Sequence, residues 1–181
     1  MRVYNFHCRR IKAPIDAVGA VIDTLASDDD RLWPWEHFEP MKLDRSLQQG
    51  ASGGHGPVRY TTVEYIPGKL AVFEFDATSG IMKSFRGRHW FEAIAIDANT
   101  TELRHMLWAD IRGLMWLAWW VLVETMHDAT VEAALAKAEL TTTGALSPRF
   151  ALTARQKFWK AVSGERGVFD KERRHAEWLS N

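Results

Sequence analysis

The sequence predicts an α+β fold: a curved antiparallel sheet of about six to seven strands, closed by one long C-terminal helix. Three observations predict it. Four strand-like segments (Val58–Ile66, Leu70–Phe75, 85–97 and 101–112) follow one another through short turns, Pro67-Gly68 and the run Ala98-Asn99-Thr100. A single segment of about 27 residues, from Leu114 to about Leu140, has helical rather than strand periodicity. One more helix, from Pro14 to Ala26, follows directly on the first strand. A twisted antiparallel sheet with one apolar face needs a cover, and a helix of that length, ~40 Å at 1.5 Å per residue, crosses most of it.

Each element has its own reason. Val3–Arg10 alternates Val3, Asn5, His7 and Arg9 against Tyr4, Phe6, Cys8 and Arg10, the period of a strand. In "APIDAVGAVIDTLAS", Pro14 suits a first helical turn, and Ile15, Val18, Val21, Ile22 and Leu25 recur at helical spacing. Asp28–Asp30 offer capping charge to a second short helix over about Arg31–Phe38, interrupted at Pro34. Met41–Arg45 reads as a short strand, and "QQGASGGHGP" as a glycine-rich loop. That loop lacks a G-K-[ST] ending and precedes a strand, so it is neither a P-loop nor a dinucleotide fingerprint.

Composition narrows the classes of function. The 181 residues suit one domain, here 1–140, with a helical extension over 141–181 that packs on the domain or on a partner chain. Twenty-three basic residues balance 23 acidic ones, so no broad attraction for nucleic acid is expected. The apolar run Leu114–Val123 is half the length of a membrane span, and no transmembrane segment is expected. The start "MRVYNFHCRRIK" has no apolar signal region, and the one cysteine, Cys8, forms no internal disulfide. Both fit a cytoplasmic location.

Nine Trp, nine Phe and three Tyr suit a large core or an aromatic-lined cavity. At 100° per residue Met115, Trp119, Leu122 and Met126 share one face of the long helix with several alanines, while Glu124, Asp128 and Glu132 lie opposite. Leu117, Trp120 and Val121 make the first turns apolar all round. The Trp120 side is therefore expected against the 141–181 extension or in a homodimer. On the strands, alternation sends Phe73 and Phe75 inward, His89 with Phe91, and His105 with Leu107. Tyr60 and Tyr65 fall on opposite faces by the same rule. A turn at Ala98-Asn99 sets His89 opposite residue 109 and His105 opposite residue 93. That is roughly 13 Å apart at 3.3 Å per residue, too far to share a metal. The remaining histidines show no ligand spacing such as H-E-x-x-H, so neither a metal nor a cofactor is expected. In "WPWEHF", Trp35 and Phe38 are placed to plug or lid a cavity under the long helix.

The order "APIDAVGAVIDTLAS", "GASGGHGPVRY", "EYIPGKLAVFEF", "GRHWFEAIAID", "TELRHMLWADIRG" and the closing helix resembles the START-like, or helix-grip, superfamily over residues 1–140. That superfamily includes polyketide cyclase/dehydrase-like proteins, lipid-transfer START domains and plant pathogenesis-related allergens. The resemblance implies a sheet wrapped around the long helix and a cavity for an apolar or aromatic small molecule or lipid. It implies as the alternative a cyclase/dehydratase-like enzyme using His89, His105 or Tyr60 as acid or base. A third reading is a protein-interaction module whose tryptophans fill the core.

Overall fold

The computed structural model describes residues 1–78 and 80–147, and Met1–Leu146 form one compact unit. The expectations for the extension beyond Ser147, and for what it packs on, fall outside the described residues. Seven strands make one antiparallel sheet in the order β1-β7-β6-β5-β4-β3-β2. They are β1 (Arg2–Ile11), β2 (Lys42–Leu43), β3 (Ser52–His55), β4 (Val58–Ile66), β5 (Leu70–Phe75), β6 (Phe85–Asp97) and β7 (Thr100–Ile111). Helix α1 is Ile15–Asp23, and a 3-10 turn spans Gly80–Ser84. The long helix, α2, runs through Met115–Ala118, a π turn at Trp119–Val123, and Glu124–Thr143. No helix among the described residues is long and apolar enough to cross a membrane.

The sheet's inner face packs on α1 and α2. Asp23 at the end of α1 accepts hydrogen bonds from the Tyr65 hydroxyl (2.9 Å) and the Gly68 amide (2.8 Å), which ties α1 to the β4–β5 turn. Gly68 has φ +68°, a conformation that favours glycine, and a methyl group on Gly19 would run into its carbonyl. The buried apolar side chains form two clusters. One joins α1, the middle of the sheet and the far half of α2, including Ile11, Ile22, Tyr60, Phe73, Phe91, Leu103 and Leu135. The other joins Val3, Met82, Phe85, Leu107, Ile111 and Trp119 near the start of α2.

Four local features depart from the sequence reading. The glycine-rich loop contains strand β3, whose Gly53 and Gly54 lie close against the backbones of Lys42 and Val58. Residues 31–40 form turns in place of a second helix. The Asp30 carboxylate accepts from the amides of Ala26, Leu32 and Trp33 (2.7–2.9 Å), and Lys137 donates to the Trp33 carbonyl. Side chains thus satisfy much of the backbone there, Pro34 supplies no amide, and the helical bonding is limited to one turn in which the His37 and Phe38 amides donate to the Pro34 carbonyl (both 3.1 Å). A bulge between Thr62 and Glu64 brings Tyr60 and Tyr65 to the same inner face, not to opposite ones.

The fourth departure is the π turn. Two ordinary helical turns take about seven residues, and the extra residue of a π turn brings positions eight apart onto one face. Trp119 and His127 are such a pair, with ring centroids 6.2 Å apart. The inward face therefore passes through His127, and Leu122 and Met126 are 44% and 40% exposed.

Candidate functional site

Strand β1 turns Tyr4 and Phe6 outward, 68% and 53% exposed, and presents Asn5, His7 and Arg9 to α2. The acids of α2 meet them. Asn5 donates to Asp128 (2.7 Å), and His7 bridges Asp128 (3.1 Å) and Glu132 (2.7 Å). Arg9 binds Glu139 (2.7 Å) and reaches Glu132 (3.5 Å). Asp128 and Glu132, expected on the side of α2 away from the sheet, thus pair with the edge strand. Burial opposes charge on His7, but the two carboxylates outweigh it and raise its pKa to about 9.

The strands bring the two central histidines together. His89 pairs with Leu107 and His105 with Phe91, because Asp97 pairs with Thr100 across the turn and Ile96, bulged out, shifts the rest of the β6–β7 register by one more residue. They are diagonal neighbours on the inner face, with His105 Nε2 and His89 Nδ1 3.4 Å apart, in place of the 13 Å separation expected. Around them lies a continuous aromatic layer. Phe73 and Phe75 stack on His89 (both 5.1 Å), and Tyr60 meets it edge-on (5.0 Å). His105 contacts Phe91 (4.7 Å) and His127 (5.1 Å), and His55 links Tyr60 to Trp33 (6.0 and 4.6 Å). Through Phe73 and Phe91 the layer touches the first apolar cluster, and through Trp119 the second.

Seven of the residues expected in the site, Phe73, Phe75, His89, Phe91, His105, Leu107 and Trp119, turn to this interior, and Met115 packs beside Trp119's cluster. Trp35, Leu122 and Met126 do not. Trp35 is 52% exposed, its ring lying 4.8 Å from the Lys137 ammonium, and Phe38 is half-buried in the same turn. Trp33 is the buried tryptophan of that segment, donating to the Glu39 carbonyl (2.8 Å). Sequence reasoning missed Trp33, His55, His127 and His7. The signal available for His7 was polar alternation in β1 facing acids at positions 128, 132 and 139 of the helix.

Tyr60 Oη, Thr62 Oγ1, His89 Nε2, His105 Nδ1, Thr125 Oγ1 and His127 Nδ1 are buried with no hydrogen-bond partner among the described residues. Burial lowers His89 and His105 well below the usual histidine range and His127 to about 3, and it raises the Tyr60 phenol. These imidazoles are neutral at pH 7. Each has one N–H to donate and one nitrogen to accept. The layer can therefore bond hydroxyl or carbonyl oxygens on a flat, apolar molecule.

No family model matches the chain, and no curated protein matches it. Solved structures do. One is norcoclaurine synthase from Thalictrum flavum in complex with dopamine and hydroxybenzaldehyde, at TM-score 0.60 and 12% identity, covering 81% of this chain and 90% of that one. A second is the ZhuI aromatase/cyclase from a Streptomyces species, at TM-score 0.54 and 18% identity, over 77% of this chain and 95% of that one. A third is CalU16 from Micromonospora echinospora, at TM-score 0.53 and 16% identity, over 91% and 96%. Seven antiparallel strands gripping one long helix, together with these likenesses, make this an α+β helix-grip fold.

Proposed function

We propose that the chain binds an apolar, preferably aromatic, small molecule between the sheet and α2, with Tyr60, His89, His105 and His127 supplying hydrogen bonds to its oxygens. One observation carries this reading: a layer of buried, unpartnered polar atoms set among aromatic rings. A buried polar group without a partner costs about 1–3 kcal/mol. A ligand supplying acceptors and donors at that layer recovers part of it, and its ring buries apolar area against Phe73, Phe75, Phe91 and Trp119. The aromatic compounds in complex with norcoclaurine synthase, and the aromatase/cyclase activity named for ZhuI, agree in chemical class with such a ligand.

Binding without turnover is the favoured form. A general base works best with a pKa near the working pH, and burial holds His89 and His105 well below theirs. Their contact at 3.4 Å is what supports a cyclase/dehydratase reading, with Tyr60 as proton donor.

The test is a panel of phenolic, polycyclic aromatic and fatty-acid ligands, read by tryptophan fluorescence and by thermal shift on metal-free protein. An aromatic ligand at 100 times its Kd is expected to stabilise the chain by about 2.7 kcal/mol, and His89→Ala to weaken that binding. No response from any member removes the proposal. A ligand recovered as a new product, with turnover lost in His89→Ala or His105→Ala, replaces binding by the enzyme reading.

A further inference from the structure

We propose that His7, His127 and Asp128 bind a divalent first-row transition metal ion, with Zn2+ the best fit, between β1 and α2. Each offers one ligand atom, and the three atoms lie within 4.8 Å of one another. A tetrahedral ion with bonds of about 2.1 Å holds its ligand atoms about 3.4 Å apart. His7 Nε2 and Asp128 Oδ1, at 3.1 Å, already have that spacing, so closure falls to His127. His127 is half-buried, and its Nδ1 atom is shielded from solvent with no hydrogen-bond partner among the described residues.

The surroundings are those of a supported site. Glu132 holds His7 Nδ1 at 2.7 Å, which leaves Nε2 facing Asp128, the carboxylate–histidine pairing that orients metal-bound imidazoles. Asn5 fixes Asp128 by donating to Oδ1 at 2.7 Å. Asp128, Glu132 and Glu139 bring three negative charges against the single guanidinium of Arg9, so a dication in place of a proton on His7 suits the local charge. Two imidazoles and one carboxylate favour Zn2+, Co2+, Ni2+ or Fe2+ over Mg2+ and Ca2+, which require more oxygen ligands. Three protein ligands also leave a fourth position open, as in zinc sites that carry a water or a substrate oxygen.

This site shares His127 with the ligand reading, but its test uses the metal alone, so either can fail without the other. The full chain, free of any histidine tag and stripped with a chelator, is titrated with Zn2+ by calorimetry, with Mg2+ as control, and with Co2+ by visible absorption. One equivalent of Zn2+ is expected, Mg2+ is not taken up, and His127→Gln and Asp128→Asn each weaken Zn2+ binding at least tenfold. Glu132→Gln, which removes a charge and a His7 partner but no ligand atom, is expected to weaken it less. No Zn2+ binding by the unaltered chain overturns the proposal, as does binding that His127→Gln and Asp128→Asn leave unchanged. Should those variants fail to fold, Co2+ in the unaltered chain decides. Two exchangeable imidazole N–H resonances shifted by the paramagnetic ion are expected, and fewer than two overturn the site.

Discussion

At the scale of single residues, the interior is set by polar atoms rather than by apolar bulk. Tyr60 is fully buried between Phe73, His55 and His89, and its hydroxyl has no partner among the described residues. Tyr60→Phe therefore removes a desolvated group without opening a cavity of any size. In the ligand-free chain urea unfolding is expected to show no loss of stability, and a gain of up to about 1 kcal/mol. Binding of a phenolic ligand should weaken by about three- to tenfold, the worth of one hydrogen bond. A loss of stability in the ligand-free variant would show that the hydroxyl is satisfied in the folded state and would remove it from the site.

At the scale of elements, the strands were legible and the meetings between them were not. Val58–Ile66, Leu70–Phe75 and Phe85–Asp97 read from alternation and turn residues as they stand in the sheet, because a half-buried strand writes its two faces into every second residue. The inward set Phe73, Phe75, His89, Phe91, His105 and Leu107 follows from the same alternation. What alternation leaves open is a slip of one residue. The bulges at Val63 and Ile96 and the π turn at Trp119–Val123 each insert one residue. Those insertions put Tyr65 beside Tyr60's cluster, His105 beside His89, and His127 where Met126 was expected. The metal ligands were hidden for a related reason, since His7 meets His127 and Asp128 only when an edge strand and a helix 120 residues later pack together. The π turn also makes a prediction. Deleting Val121 restores an ordinary α turn and leaves Trp119 and His127 on one face, so the chain should fold, with a loss of less than about 2 kcal/mol by urea unfolding. Deleting Ala129 has no π turn to absorb it and rotates the buried Val131, Ala134 and Leu135 off the core, with a loss of about 3 kcal/mol or more. Equal losses would show that the π turn is not the spare residue of the helix.

At the scale of the whole molecule, the buried histidines tie the fold to pH. His55 lies against Trp33, with Tyr60 on its other side and the Arg59 charge nearby. Burial first, and Arg59 second, lower its pKa to about 4. His89, enclosed by Tyr60, Phe73, Phe75 and His105, is also held well below 6.5, chiefly by burial. An unfolded chain protonates both near pH 6.5, whereas the folded chain keeps them neutral to much lower pH. Below about 6.5 the unfolded state therefore holds more protons, and stability falls as pH falls, by about 1.4 kcal/mol per pH unit for each such histidine. For His55 this loss runs from about pH 6.5 down to about 4 and then stops, because below its folded pKa both states carry the proton. Carboxylates add their own loss in the same range, so the contribution of His55 is read as a difference between variants. Urea unfolding of the unaltered chain and of His55→Gln between pH 7 and 5 should give slopes that differ on average by about 0.9 kcal/mol per unit, the variant being the less pH-dependent. Parallel slopes would mean that His55 takes up its proton in the folded chain at the ordinary pH.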